Sequence, residues 1–297
     1  MIQTSAQAYR RDRWLVLLGM AVLILLSWAY LANAARPVDQ MMAMPVSPPW
    51  DAGLLVLSLV MWSIMMIAMM LPTATPMVLG FTRVQHSREP SGRAVGLTWL
   101  FVAGYLLAWI GFALVAAMAQ WAFYSLGVMS SSMGSATPVL GGVLLMGAGL
   151  FQWSGLKDAC LTQCQSPLNF LLNQWRPGGR GALIMGLRHG LFCIGCCWLL
   201  MLLMFVGGVM NLIWMVAITV YVLAEKLLPW MRRYGRVVGL LLVASGILLL
   251  YGGPASDNLS LGAEPAPLSV RLSMDYCEPD YGSAGASGAL CVDLLLH

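Results

Sequence analysis

The chain has 297 residues, of which 60% are hydrophobic and only 9% charged, and its mean hydropathy is +0.79. A soluble domain carries about 25% charged residues, so the composition excludes a protein that covers its surface with charge. The net charge of +4 is no nucleic-acid footprint, because the placement of the basic residues along the chain accounts for it.

Apolar runs occur at about 14–32, 53–72, 94–118, 138–156, 183–206, 210–226 and 237–253. A membrane span needs roughly 20 residues and can be as short as about 17; the last two runs lie near that limit. The first follows Arg10, Arg11 and Arg13 and ends at Ala32-Asn33-Ala34, which resembles a secretory cleavage site. Its apolar stretch of about 18 residues exceeds the 7–15 of a signal core, so it is read as a retained helix. The second run holds "MWSIMMIAMMLP" (61–72), with Met61, Met65 and Met69 on one helical stripe and Met66 and Met70 on another. The fourth is followed by "KDACLTQCQSP" (157–167), and the fifth contains "RHGLFCIGCCW" (188–198). Backbone polar groups cannot go unpaired in lipid, and the runs lack the alternation of a barrel, so the predicted fold is all-α. It is a polytopic transmembrane bundle of about seven helices over residues 1–253. After Pro254, small residues, Pro and Gly dominate without a sustained period, which predicts a disordered exported tail over 254–297. Cys277 and Cys291 lie there, and both a disulfide between them and two unpaired thiols remain open.

Loop charges orient the bundle. Arg10, Arg11, Arg13, Arg83, Arg88, Arg93, Lys157, Arg176, Arg180, Lys226, Arg232, Arg233 and Arg236 fall on one side of the predicted membrane, and only Arg36 and Arg271 on the other. The positive-inside rule then places the N-terminus in the cytoplasm and the tail outside, in the inner (plasma) membrane of a bacterial cell.

Seven cysteines and three histidines serve the whole chain, and four of these ten fall within residues 189–197. At 100° per residue His189, Cys193 and Cys196 lie within roughly 60° of one another. Met185 and Met204 widen this soft-donor stripe, and Cys197 sits at its edge. A rise of about 1.5 Å per residue puts His189 and Cys196 about 10 Å apart, too far to share an ion, so a complete site must borrow ligands from other helices. Cys160 and Cys164 share a face at i,i+4 spacing and are predicted to lie at the same cytoplasmic end, as are the stripes containing Met65 and Met69. Thiolate and thioether donors select Cu(I) first and zinc after it, and the spacings are helical rather than those of a zinc knuckle. The candidate metal ligands are therefore His189, Cys193, Cys196, Cys197, Cys160, Cys164, Met65 and Met69. Met41, Met42, Met44, Met129 and Met133, on the exported side, are candidate capture points for Cu(I).

Plainer readings stand beside these. A buried cysteine packs well as a small residue, and most of the 22 methionines fill apolar gaps. Arg188 reads as a snorkelling side chain, and Glu225 with Lys226 as an interfacial end-of-helix pair. His189 differs, because an ionisable group within a span is a functional candidate by default.

With these residues in view, the chain resembles a bacterial family, the predicted metal-binding integral membrane proteins, a domain of unknown function. The resemblance rests on "MMIAMMLP" (65–72), "KDACLTQCQSPLNFL" (157–171), "GLRHGLFCIGCCWLLMLLMFVGGVMNL" (186–212) and "VLAEKLLP" (222–229), and covers about 50–252. It implies a multi-pass membrane protein that binds metal, copper being a candidate, with no settled activity. The tail departs from the family pattern.

The expected function is thus binding of a soft transition metal, Cu(I) foremost, in transport, delivery or storage. Its partners would be the lipid bilayer and a metal chaperone or donor/acceptor protein, not nucleic acid; the sequence leaves the oligomeric state open. No catalytic motif and no G-x-x-x-x-G-K-[ST] loop is present, so an enzyme is not expected. The alternatives are a membrane thiol–disulfide oxidoreductase and a helical accessory subunit without metal.

Overall fold

The computed structural model describes residues 2–41, 52–88, 93–127 and 136–252, all within one unit, Met1–Ser256. The predicted tail with Cys277 and Cys291, and Met42, Met44, Met129 and Met133, lie outside the described residues. Among these residues the regular elements are helical: α1 (Ile2–Met41), α2 (Ala52–Arg88), α3 (Ala94–Ser125), α4 (Pro138–Phe151), α5 (Gly155–Gln165), α6 (Pro167–Gln174), α7 (Gly178–Leu202), α8 (Met204–Gly207), α9 (Leu212–Leu227) and α10 (Met231–Gly252).

The all-α class holds, and the count of seven spans does not. Five helical stretches are long and apolar enough to cross a membrane: 7–35, 53–88, 94–125, 178–207 and 231–251. The predicted fourth span breaks instead, with α4 and α5 meeting at a 66° bend; counted as one span, the pair makes six. The break has local causes. The amides of Gln152, Trp153 and Ser154 bond back three residues, tightening the last turn of α4. The Ser154 side chain then caps α5 by accepting from the Lys157 amide at 3.2 Å, which satisfies one of the orphan donors of a helix start. The predicted sixth span is α9, whose 16 residues rise about 24 Å, short of a hydrocarbon core of about 30 Å.

α2 runs through Pro72 and Pro76 without ending. Pro72 has no N–H for the Ala68 carbonyl one turn earlier, and the indole of Trp28 on α1 supplies the missing donor at 3.1 Å. α1 also reaches α2 through Asp12, whose Oδ2 lies 3.3 Å from His86 Nδ1.

The core is built on α3 and α7. A Cβ at Gly104 of α3 would come within 2.1 Å of the Leu183 carbonyl oxygen, and one at Gly186 of α7 within 1.9 Å of that of Phe101. The two backbones therefore touch, as the Gly186-x-x-x-Gly190 spacing leads one to expect. α4 and α10 meet in the same way, with Gly149 against the carbonyl of Gly239. Outward faces carry large apolar side chains, such as Trp14, Leu25, Val115 and Leu248.

Two of the thirteen basic residues counted above as loop charges are drawn into the interior. Lys157 and Lys226 are buried, as is Glu225. Lys157 Nζ bonds both carboxylate oxygens of Glu225, at 2.7 and 2.8 Å, and also bonds Gln152 Oε1. Tyr221 Oη donates to the same carboxylate at 2.7 Å, and Gln165 Nε2 to the Glu225 backbone carbonyl at 2.7 Å. Glu225 and Lys226 are thus no interfacial pair: adjacent in sequence, they serve different buried groups, and Glu225 ties α9 to α5.

Gly186→Val is expected to lower stability by about 2 kcal/mol or more, because the added carbons meet backbone that cannot move aside. Gly147→Ala, where nothing lies within 4 Å of a new Cβ, should be neutral or mildly stabilising. Thermal unfolding midpoints in detergent check both. Lys157→Met leaves the Glu225 carboxylate buried and unpaired, which should cost about 3 kcal/mol, and Lys157→Met/Glu225→Gln should recover most of it. Equal destabilisation by the single and double substitutions would contradict the pairing.

Candidate metal centre

The inward face of α7 is the predicted soft-donor stripe: Met185, His189, Cys193, Cys196 and Cys197 are all buried. Cys193 is its centre. Lys226 Nζ donates to its Sγ at 2.8 Å, and Tyr105 Oη of α3 shares a hydrogen bond with the same sulfur at 3.2 Å. Lys226 also donates to Thr73 Oγ1 at 3.0 Å. Thr73 and Tyr105 both donate to the Met70 carbonyl, at 2.8 and 3.0 Å. Cys193 therefore sits where α2, α3, α7 and α9 converge. The thiols of Cys196 and Cys197 turn back along α7 and donate to the Cys193 carbonyl at 3.0 and 2.9 Å.

α5 lies alongside α7, as the predicted site requires, although it is a separate helix and no continuation of α4. The Cys164 side chain neighbours the thiols of both Cys193 and Cys196. The Cys160 Sγ lies 2.7 Å from where a Cβ on Gly195 would be, so glycine at 195 is what admits this sulfur against α7. Cys160 also lines a cavity of about 360 Å³ with Gln174, Arg188, Leu191 and Phe192. All five of these cysteines are free.

His189 is 3% exposed and is packed among the rings of Phe101, Tyr105 and Phe170, at centroid distances of 6.0, 5.7 and 5.5 Å. Its Nδ1 is buried without a hydrogen-bond partner. A buried polar atom left unpaired costs about 1–3 kcal/mol, so this nitrogen is an unused donor position on a residue one helical turn from Cys193.

Of the predicted ligands, Cys193, Cys196 and Cys197 are buried on the inward face of α7, and Cys164 of α5 stands near the first two. Met65 and Met69 are fully buried on α2. Farther along α2, Thr73 and the Met70 carbonyl bond the two groups that reach Cys193, Lys226 and Tyr105. Arg188 is exposed and bonds Gln174 Oε1, in keeping with its reading as an outward-reaching side chain. Lys226, Tyr105 and Thr73 were not among the candidates. Lys226 carried a usable signal, an ionisable residue at the end of an apolar run, but its neighbour Glu225 offered a simpler pairing.

Among the described residues no group of three or more His, Cys, Asp or Glu side chains converges as a metal cage would require. The donor chemistry nevertheless fits a soft ion of low coordination number: several thiols and an unpartnered imidazole nitrogen, enclosed by apolar and aromatic side chains.

Comparison with known proteins supports a copper-related role. No curated protein and no solved structure matches the chain. A family model described as PpoB2, copper chaperone, matches residues 59–249, a stretch that includes all eight candidate ligands. That match spans well over half of the sequence, and the chain belongs to the PpoB2 copper chaperone family.

Proposed function

We propose that the chain is an integral membrane copper chaperone that holds Cu(I) between α5 and α7 and passes it to a partner protein, acting as a carrier and not as an enzyme. The observation that carries this reading is that Cys164 of α5 stands near Cys193 and Cys196, which are buried on the inward face of α7. Thiolates favour Cu(I) over harder ions, and a site built from two helices gathers donors that neither helix could assemble alone. Two thiolates would hold the ion at any moment, with His189 Nδ1 as a further donor. Low coordination leaves room for an incoming ligand from the partner, so transfer proceeds by exchange of one donor at a time. Cys160, on the cavity beside Arg188, is the thiol from which the ion would leave or arrive. Zinc is the second choice of metal.

Basic residues in the first part of α1, at the end of α2 and just before α7 support a cytoplasmic N-terminus in a bacterial inner membrane. The thiol site then faces the cytoplasmic half of the bundle.

Metal content of the detergent-purified protein tests the reading. Loaded with Cu(I) under reducing conditions and challenged with a chromophoric Cu(I) chelator, the wild type should retain close to one copper per chain. Cys193→Ser and Cys164→Ser should each retain at least about tenfold less, because loss of even an outer-shell partner of a ligand costs about 10–100-fold in metal affinity. A wild type that emerges free of copper overturns the proposal. Separately, a reporter that functions only in the cytoplasm should be active when fused to the N-terminus.

A further inference from the structure

We propose that Lys226 sets the charge selectivity of the thiol site, so that it accepts a monovalent soft cation and rejects a divalent one of similar softness. This rests on the copper-binding reading above and adds the residue that decides which charge of ion is held.

The surroundings of Lys226 carry the inference. Its side chain is 7% exposed, and its ammonium donates to Cys193 Sγ and Thr73 Oγ1. Of the two, only the sulfur can carry a negative charge. The nearest carboxylate in sequence, Glu225, is held by Lys157 and Tyr221. Among the described residues no acidic side chain forms an ion pair with Lys226; the other groups that face it are Tyr105 from α3, Cys164 from α5, and His189, Cys196 and Cys197 from α7. The positive charge of Lys226 therefore belongs to the thiol site and is not cancelled from outside it.

Charge then discriminates between ions. A cation held by two thiolates, whose protons pass to bulk as it binds, meets a fixed positive neighbour. With a monovalent ion, the ion, two thiolates and the ammonium together are neutral. With a divalent ion the same set keeps one positive charge in an apolar interior, where an uncompensated charge is strongly disfavoured. A third thiolate would restore neutrality for the divalent ion, but although Cys164, Cys193 and Cys196 are neighbours, no three His, Cys, Asp or Glu side chains among the described residues stand close enough to hold one ion together. Without Lys226 the balance reverses: the divalent complex becomes neutral and the monovalent one negative.

Ag(I) and Cd(II) provide the test, being soft ions of matched electron count that differ in charge and resist redox change. Competition titrations on the detergent-purified full chain would give the ratio of Ag(I) to Cd(II) affinity for wild type, Lys226→Met and Lys226→Arg. The ratio should fall by at least about tenfold in Lys226→Met, as expected for loss of a unit charge a few ångströms from the ion. Lys226→Arg, which keeps the charge, should stay within about threefold of wild type on the same grounds. A monodisperse, helical Lys226→Met protein with an unchanged ratio overturns the role of Lys226 and leaves copper binding intact. Wild type that binds neither Ag(I) nor Cu(I) overturns both. Should Lys226→Met aggregate, Lys226→Gln gives the same two readings.

Discussion

The contact on which the rest of the structure depends is the backbone-to-backbone approach of α3 and α7. It is possible only because Gly104 and Gly186 have no side chain, each lying where a Cβ would strike the other helix's carbonyl. In a bilayer, helices gain little from apolar burial against each other and associate through close packing and polar contacts. The approach carries Tyr105 to within 3.2 Å of Cys193 and stacks the His189 ring against Phe101 and Tyr105. The environment of the thiols is therefore set by two helices whose spacing has almost no slack.

Around this axis the buried charges are sorted at the end of α9. Glu225 turns to Lys157 on α5, and Lys226 turns to Cys193 on α7. Each charge is expensive in an apolar interior unless it is paired and hydrogen-bonded. The Glu225 carboxylate meets that condition through Lys157 and Tyr221. One helix end thus holds α5 in place with one residue and addresses the thiol group with the next. This ties the position of Cys164, which rides on α5, to the position of the Lys226 ammonium.

Much of this was legible in the sequence because helical periodicity is a local property. The soft stripe on α7 follows from residue spacing alone, and the need for donors from a second helix follows from the rise per residue; α5 lies alongside with Cys160 and Cys164 turned toward α7. The positions that could not be read depend on tertiary geometry. The bend at Ser154 replaces a continuous span because a capping serine and three tightened backbone bonds compete with helix continuation, and hydropathy is blind to that competition. Lys157 and Lys226 were counted with the loop charges because they follow apolar runs, yet both are drawn into the bundle by partners distant in the chain. Met65 and Met69 share a stripe, and a stripe alone does not say whether the neighbouring helix presents a sulfur, a ring or a lysine. What α2 presents to the lysine that reaches Cys193 is Thr73.

The Trp28 indole on the Ala68 carbonyl gives the first helix a meaning beyond its outward-facing leucines. Proline makes α2 depend on a foreign donor, which water could not replace in the hydrocarbon layer proposed for the bundle. α1 is in effect the solvent for that one backbone oxygen. Processing after Ala34, at the small-residue pattern that resembles an export cleavage site, would release this donor with the helix that carries it. The oxygen left behind would lie three residues before Leu71 and five before Thr73, on the stretch of α2 that supports the lysine and the tyrosine at Cys193. The outermost helix is thus part of the scaffold of the innermost site.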